Sequence, residues 1–154
     1  IPLSRAAVSR EQLVFSRWAQ LMYRFEKELY ANPDQDLNGL WWQLSGRYQQ
    51  LQQPVRMDIA YWASKIHIAS APCYYHNYLL GELLASQFGA SLKGLRPDAG
   101  VFGSEVECDP LTGRYFRDRV FYHGASLHWK DVIKSATGSD LDPSFYAAEF
   151  VSGS

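Results

Sequence analysis

Between Lys65 and Tyr78 the chain reads KIHIASAPCYYHNY. Four side chains here can hold a proton or donate one to an oxygen: Lys65, His67, Tyr75 and Tyr78. Tyr75 and Tyr78 stand three residues apart, the step that puts two side chains on one face of a helix. Such groups serve proton transfer and hydrogen-bond donation to a reacting oxygen. They serve equally well as core tyrosines with satisfied hydroxyls. The residue pattern leaves both readings open.

No other stretch offers comparable chemistry. None of the four histidines is followed by Glu, so there is no HExxH zinc helix. His123 and His128 are five residues apart, a poor spacing for two ligands on one helical face. Neither a glycine-rich phosphate loop nor a GxSxG elbow is present. Asp118, Asp131 and the other carboxylates fall singly on polar faces, as solvated surface does.

Helices must position these groups. In Gln12–Tyr30, Leu13, Val14, Trp18, Leu21, Met22, Phe25 and Leu29 recur at three- and four-residue steps behind Ser9 as N-cap, which predicts an amphipathic helix. Asn32-Pro33-Asp34 breaks it. Asp36 or Asn38 can cap a second helix over LWWQLSGRYQQL, with Leu40, Trp41, Leu44, Tyr48 and Leu51 on one side and Pro54 as its stop. A short helical piece is expected at Ile59–Ala63. IHIASAP alternates and meets Pro72, which predicts a loop or short strand with Ala71 extended. From Cys73 to Leu92 the apolar positions run nearly all round, as in a helix buried on most faces. GLRPDAGVFGSE reads as a connector. Helices at Leu111–Val120 and Trp129–Thr137 follow, the latter stopped by Gly138, with a last turn after Asp142-Pro143. The fold class is therefore all-α, a single helical domain of 154 residues.

Composition narrows the partners. Net charge is −1 and no charge block or long apolar run occurs, which argues against nucleic acid and against a membrane segment. Five Trp and ten Tyr favour a groove or cavity. Two cysteines are too few for a disulfide scaffold. The opening IPLSRAAVSREQ has no initiator Met and no signal pattern, and is expected to be a cut or truncated start.

In order and spacing, the blocks LWWQLSGRYQQLQQPV, KIHIASAPCYYHNY and ECDPLTGRYFRDRVFYHGASLHWKDVIKSATGSDLD resemble the C-terminal part of the angiotensin-converting-enzyme family of zinc peptidases (peptidyl-dipeptidase A). Those proteins carry a Trp-Trp helix, a Lys-x-His-Ile segment, a Tyr-x-x-Tyr helix, a Cys-Asp and a Gly-x-Ser-x-x-Trp segment ahead of a Thr-Gly turn. The likeness runs from Leu13 to Phe150. Thimet-type oligopeptidases share the helical architecture. The resemblance implies a helical bundle that forms the C-terminal portion of a gluzincin-type peptidase and one wall of its groove. It implies cleavage of short peptides, with release of C-terminal dipeptides. Lys65 and Tyr75 would then grip the peptide's C-terminal carboxylate, and His67 would donate to a backbone carbonyl. Tyr78 would donate to the oxyanion formed when water activated at zinc attacks the scissile carbonyl. One inserted residue near Pro72 leaves Tyr74 as an alternative to Tyr75.

The departures are as informative. The zinc ligands of that family lie upstream of every residue here, so zinc is expected in the full-length enzyme, on its N-terminal part, and not on this chain alone. Chloride-binding arginines of vertebrate members are matched by Ser45 and Asn77. Cys108 stands at a disulfide position whose partner position is Lys93, which implies a free thiol and slightly favours a cytoplasmic setting over a secreted or periplasmic one. The competing class is a non-catalytic helical module that grips peptides without cleaving them. An isolated wall of this kind is also expected to expose groove aromatics and to self-associate. Calorimetric titration of the chain with zinc should show no tight stoichiometric site, because a catalytic site needs three grouped ligands. A tight one-to-one isotherm would return the histidines to consideration.

Overall fold

Pro2 opens the first helix at a position where a missing N–H costs nothing, and no breaker follows for thirty residues. The helix α1 therefore runs Pro2–Ala31. Ser9, expected to cap it, lies inside it. In the computed structural model, which describes residues 2–54, 59–95 and 110–151, the other helices are α2 (Leu37–Gln49), α3 (Ile66–Ala69), α4 (His76–Leu95), α5 (Pro110–Arg119), α6 (Trp129–Thr137) and α7 (Ser144–Val151). Two 3-10 turns, Tyr61–Ser64 and Phe121–His123, complete the described residues, among which there is no strand. The fold is all-α. Cys108 and most of the expected connector lie outside the described residues; its first two residues, Gly94 and Leu95, extend α4.

The chain divides into two compact units, 1–80 and 81–154, with the boundary inside α4. In the first, α1 packs on α2 around buried Leu21, Met22, Phe25 and Trp41. Phe25 and Trp18 both meet Trp41 edge-on, with ring centroids 5.1 and 5.9 Å apart. Each such pair is worth about 1 kcal/mol beyond its buried area. The buried stripe of α1 is built from Trp18, Ala19, Leu21, Met22, Phe25 and Leu29, whereas Leu13 and Val14 are exposed. Phe15 replaces them. Three- and four-residue steps back from Trp18 reach both Phe15 and Val14, and the packing selects the aromatic ring.

Local chemistry sets the ends of α2. Asp36 accepts from the Gly39 N–H at 2.8 Å, and its carboxylate leaves no room there for a Cβ. At the other end Gln50 takes a left-handed conformation, φ 57°, so the helix stops before Leu51 and well short of Pro54. Arg17 of α1 donates to the carbonyls of Tyr48 and Arg47, two of the acceptors that a helix end leaves unpaired.

The alternating IHIASAP is a helical turn rather than an extended segment. Ile68 and Ala69 N–H both reach the Lys65 carbonyl at 2.9 Å, and Ser70 and Ala71 both reach that of Ile66. A turn of four residues is too short for hydrophobic period to separate helix from strand.

In the second unit Leu92, Tyr115, Val132, Ile133 and Tyr146 are buried, and α6 ends at Gly138 in the left-handed region, φ 85°. Gln87 is 0% exposed. Its amide donates to Thr137 Oγ1 at 2.8 Å and to Ser139 Oγ and the Asp140 carbonyl at 3.1 Å, while its oxygen accepts from Asp142 N–H at 2.9 Å. That amide stands in for the missing secondary structure of the 138–142 loop. Gln87→Leu keeps the volume and strands the Asp142 N–H. Denaturant unfolding should show a loss of about 2 kcal/mol; an unchanged midpoint would mean that the loop finds other partners.

Candidate functional site

All four residues singled out in the sequence lie in the first unit, and α1 meets three of them, Lys65, Tyr75 and Tyr78. Lys65 is the extended residue that caps α3, φ −79° and ψ 122°, and its backbone carbonyl starts the turn that carries His67. Tyr75 precedes α4 and Tyr78 lies in its first turn; the Tyr78 N–H reaches the Tyr75 carbonyl at 3.2 Å, so the helical step holds across the junction.

Between these two pieces the chain turns at Pro72-Cys73, with Cys73 at φ 57°. For a residue other than glycine this conformation costs about 1 kcal/mol or more. Glu26, 6% exposed on α1, accepts a hydrogen bond from the Cys73 N–H and fixes that turn. Cys73 itself is a free, exposed thiol.

His67, Tyr75 and Tyr78 converge. His67 stands edge-on to Tyr75 and Tyr78 with centroids 4.9 and 5.6 Å apart, and the two tyrosine rings are 5.2 Å apart. Phe15 packs 6.1 Å from both tyrosines. The environments of the two phenols differ. Tyr75 is half-buried, and its oxygen accepts the Trp18 indole N–H at 2.7 Å. Burial pushes its phenol pKa up, the Trp18 hydrogen bond opposes the rise, and the neighbouring Tyr78 adds to it. Tyr78 is 41% exposed, and its hydroxyl has no partner among the described residues. Tyr74 stacks on His67 at 15° between ring planes and is 49% exposed. The inner position thus belongs to Tyr75, and Tyr74 lies over the outside of the cluster.

His67 Nδ1 is buried without a hydrogen-bond partner among the described residues. An orphan lone pair is tolerated better than an orphan N–H, which leaves Nε2 as the protonated nitrogen of the neutral ring.

Lys65 has an unusual setting. Its Nζ lies 4.0 Å from the centroid of Tyr61, 5.7 Å from Trp18 and 6.0 Å from Trp41. No carboxylate pairs with it among the described residues. The cation is held by ring faces, a contact worth about 0.5–2 kcal/mol, and its charge stays available to an anion. Tyr61 is in turn stacked at 26° on Trp42, and Trp62 donates to Asn38 Oδ1 at 3.0 Å. Beside this cluster an open cleft of 430 Å³ is lined by Arg10, Glu11, Val14, Phe15, Trp18 and Gln49.

Among the described residues no three His, Cys, Asp or Glu side chains gather to hold a metal. Nor is any helix among them long and apolar enough to cross a membrane. Sequence reasoning did not find Phe15, Trp41 and Tyr61 as members of this site. Trp18 and Trp41 were legible as core, but nothing in their spacing marks a ring as the wall of a cation site.

The two phenols should respond differently to the same substitution. Tyr75→Phe strands the Trp18 N–H and should cost about 1–3 kcal/mol, while Tyr78→Phe should leave the melting temperature unchanged. Equal losses in thermal denaturation would make both of them core tyrosines.

No protein-family model and no solved structure matches the chain. Among curated proteins it is similar to Carboxypeptidase 1 of Bacillus subtilis (strain 168), with 26% identity over 139 aligned residues, the alignment covering 88% of this chain and 27% of that protein. The chain spans little more than a quarter of the length of that relative. The likeness is to a peptidase, and it does not distinguish the angiotensin-converting-enzyme type from the thimet type.

Proposed function

We propose that this chain is the part of a peptidase that holds the C-terminal end of a short peptide, and that the whole protein cleaves near that end. The observation that carries the reading is the Lys65 ammonium, held in a cage of rings with no carboxylate partner among the described residues, next to a cluster with a half-buried phenol and a hydroxyl that has no hydrogen-bond partner among them. The similarity to a carboxypeptidase supports it.

Each residue has a role that its setting permits. Lys65 and Tyr75 take the terminal carboxylate, a cation and a hydroxyl donor meeting an anion. His67 donates from Nε2 to a backbone carbonyl of the substrate. Tyr78, whose hydroxyl has no hydrogen-bond partner among the described residues, donates to the oxygen on which charge develops at the scissile carbonyl. The cleft beside Phe15 and Trp18 takes the terminal side chain, with an apolar or aromatic preference set by those rings. The described residues do not furnish a zinc site. Zinc, which would polarise the carbonyl and activate water, is assigned in this reading to an upstream part of the same protein. Release of a C-terminal dipeptide, as in the angiotensin-converting-enzyme family, is the finer form of the proposal.

Tyr78→Phe in the full-length protein should leave folding and KM nearly unchanged and lower kcat by about 10²- to 10³-fold. Lys65→Ala should raise KM for peptides with a free C-terminal carboxylate and matter little for amidated ones. A Tyr78→Phe protein with intact turnover and a lower melting temperature would make the hydroxyl structural. A full-length protein that binds peptides and cleaves none would make the chain a binding module instead.

A further inference from the structure

Trp18 touches both groups that the reading above assigns to the peptide's carboxylate. Its indole N–H donates to Tyr75 Oη at 2.7 Å, and its ring lies 5.7 Å from Lys65 Nζ. An indole can only donate. With Trp18 occupying a lone pair of the Tyr75 oxygen, the phenol proton must point elsewhere, and no acceptor among the described residues receives it.

We propose that Trp18 is a positioning residue for carboxylate recognition: it fixes the Tyr75 hydroxyl as a donor toward a peptide's terminal carboxylate and carries on its ring face the ammonium that meets the same anion. This rests on the reading of Lys65 and Tyr75 given above. The hydroxyl alone would rotate freely, offering lone pair or proton with similar ease, and a lone pair would repel a carboxylate. A fixed donor arrives with that choice already made. The opposing influences on the Tyr75 phenol agree with the arrangement, since burial raises its pKa and the indole hydrogen bond lowers it.

The test uses the full chain and two probes, N-acetyl-alanyl-phenylalanine and its C-terminal amide, with binding measured by calorimetry. The unsubstituted chain should prefer the free acid. Trp18→Phe should reduce that preference by about tenfold, and Trp129→Phe, in the other unit, should not. Because a smaller ring also disturbs packing, a second variant carries β-(3-benzothienyl)alanine at position 18, which keeps the bicyclic shape and replaces only the N–H. It should lose the preference as well. In both variants the Tyr75 ring-carbon resonance, followed by NMR, should titrate at higher pH than in the parent, because a donor that stabilises the phenolate is gone. A benzothienyl variant that keeps the preference, or a Tyr75 midpoint that does not move, overturns the role of Trp18 and leaves the Lys65 reading standing. No preference in the parent chain, or one that survives Lys65→Ala, overturns the carboxylate reading and this inference with it.

Discussion

The site depends on one buried carboxylate. Glu26 sits on the inward face of α1, 6% exposed, and a charge in that position is tolerated only when it is hydrogen-bonded. Its partner is the Cys73 N–H, 47 residues further along the chain. The bond satisfies the carboxylate and at the same time holds a left-handed turn that a cysteine would not adopt by preference. Pro72 and Cys73 separate α3 from α4, so the same contact sets the distance between His67 on one helix and Tyr75 and Tyr78 at the start of the other. Neither helix fixes that spacing alone. A single turn of α3 has no stability of its own, and α4 can begin wherever the turn delivers it.

The aromatic residues then divide into those that fill space and those that hold a polar atom. Trp41 and Phe25 fill the core, edge to face. Trp18 and Trp62 lie at its margin, where each indole N–H reaches an oxygen, Tyr75 Oη and Asn38 Oδ1 respectively. Lys65, half-buried, has no carboxylate partner among the described residues and rests instead on the ring faces of Tyr61, Trp18 and Trp41. A carboxylate beside Lys65 would neutralise it and would have to be displaced by any arriving anion. Ring faces attract the cation less strongly, by about 2 kcal/mol at most, and leave its charge on offer.

Helices with strong punctuation were legible in the sequence, and α6 was read to the residue: Trp129–Thr137 with Gly138 as a left-handed stop. The all-α class followed from period alone. Where the reading missed, a tertiary contact had overruled a local rule. Ser9 looks like a cap but lies inside α1, because Pro2 is an equally good start. Pro54 looks like the end of α2, but Gln50 turns earlier, where Arg17 of α1 takes the last carbonyls. Val14 and Phe15 fit the stripe of α1 equally by spacing, and only the presence of two tyrosine rings selects Phe15. The anchoring amide of Gln87 had no signal at all, since a glutamine on a helix ordinarily belongs to solvent. Lys65, His67, Tyr75 and Tyr78 were singled out as polar groups in one stretch, and their roles came from the resemblance alone; the ring cage around Lys65 was not legible, because it is assembled from α1, α2 and a 3-10 turn.

The three-residue step between the tyrosines illustrates what spacing can and cannot carry. It correctly puts the two rings side by side, 5.2 Å apart, even though Tyr75 precedes the helix that holds Tyr78. It says nothing of their depth. Depth comes from α1, whose Trp18 lies against Tyr75 and takes its hydroxyl oxygen, while Tyr78 stays 41% exposed. In the proposed reading, the opposition between a core tyrosine and a functional one is therefore a false choice for this pair. One phenol is anchored by the Trp18 indole, and the other has no hydrogen-bond partner among the described residues. A site of the proposed kind, which would bind one negative charge firmly and meet another only as it forms, would need both conditions, and a shared helical face three residues apart is a compact way to keep them together.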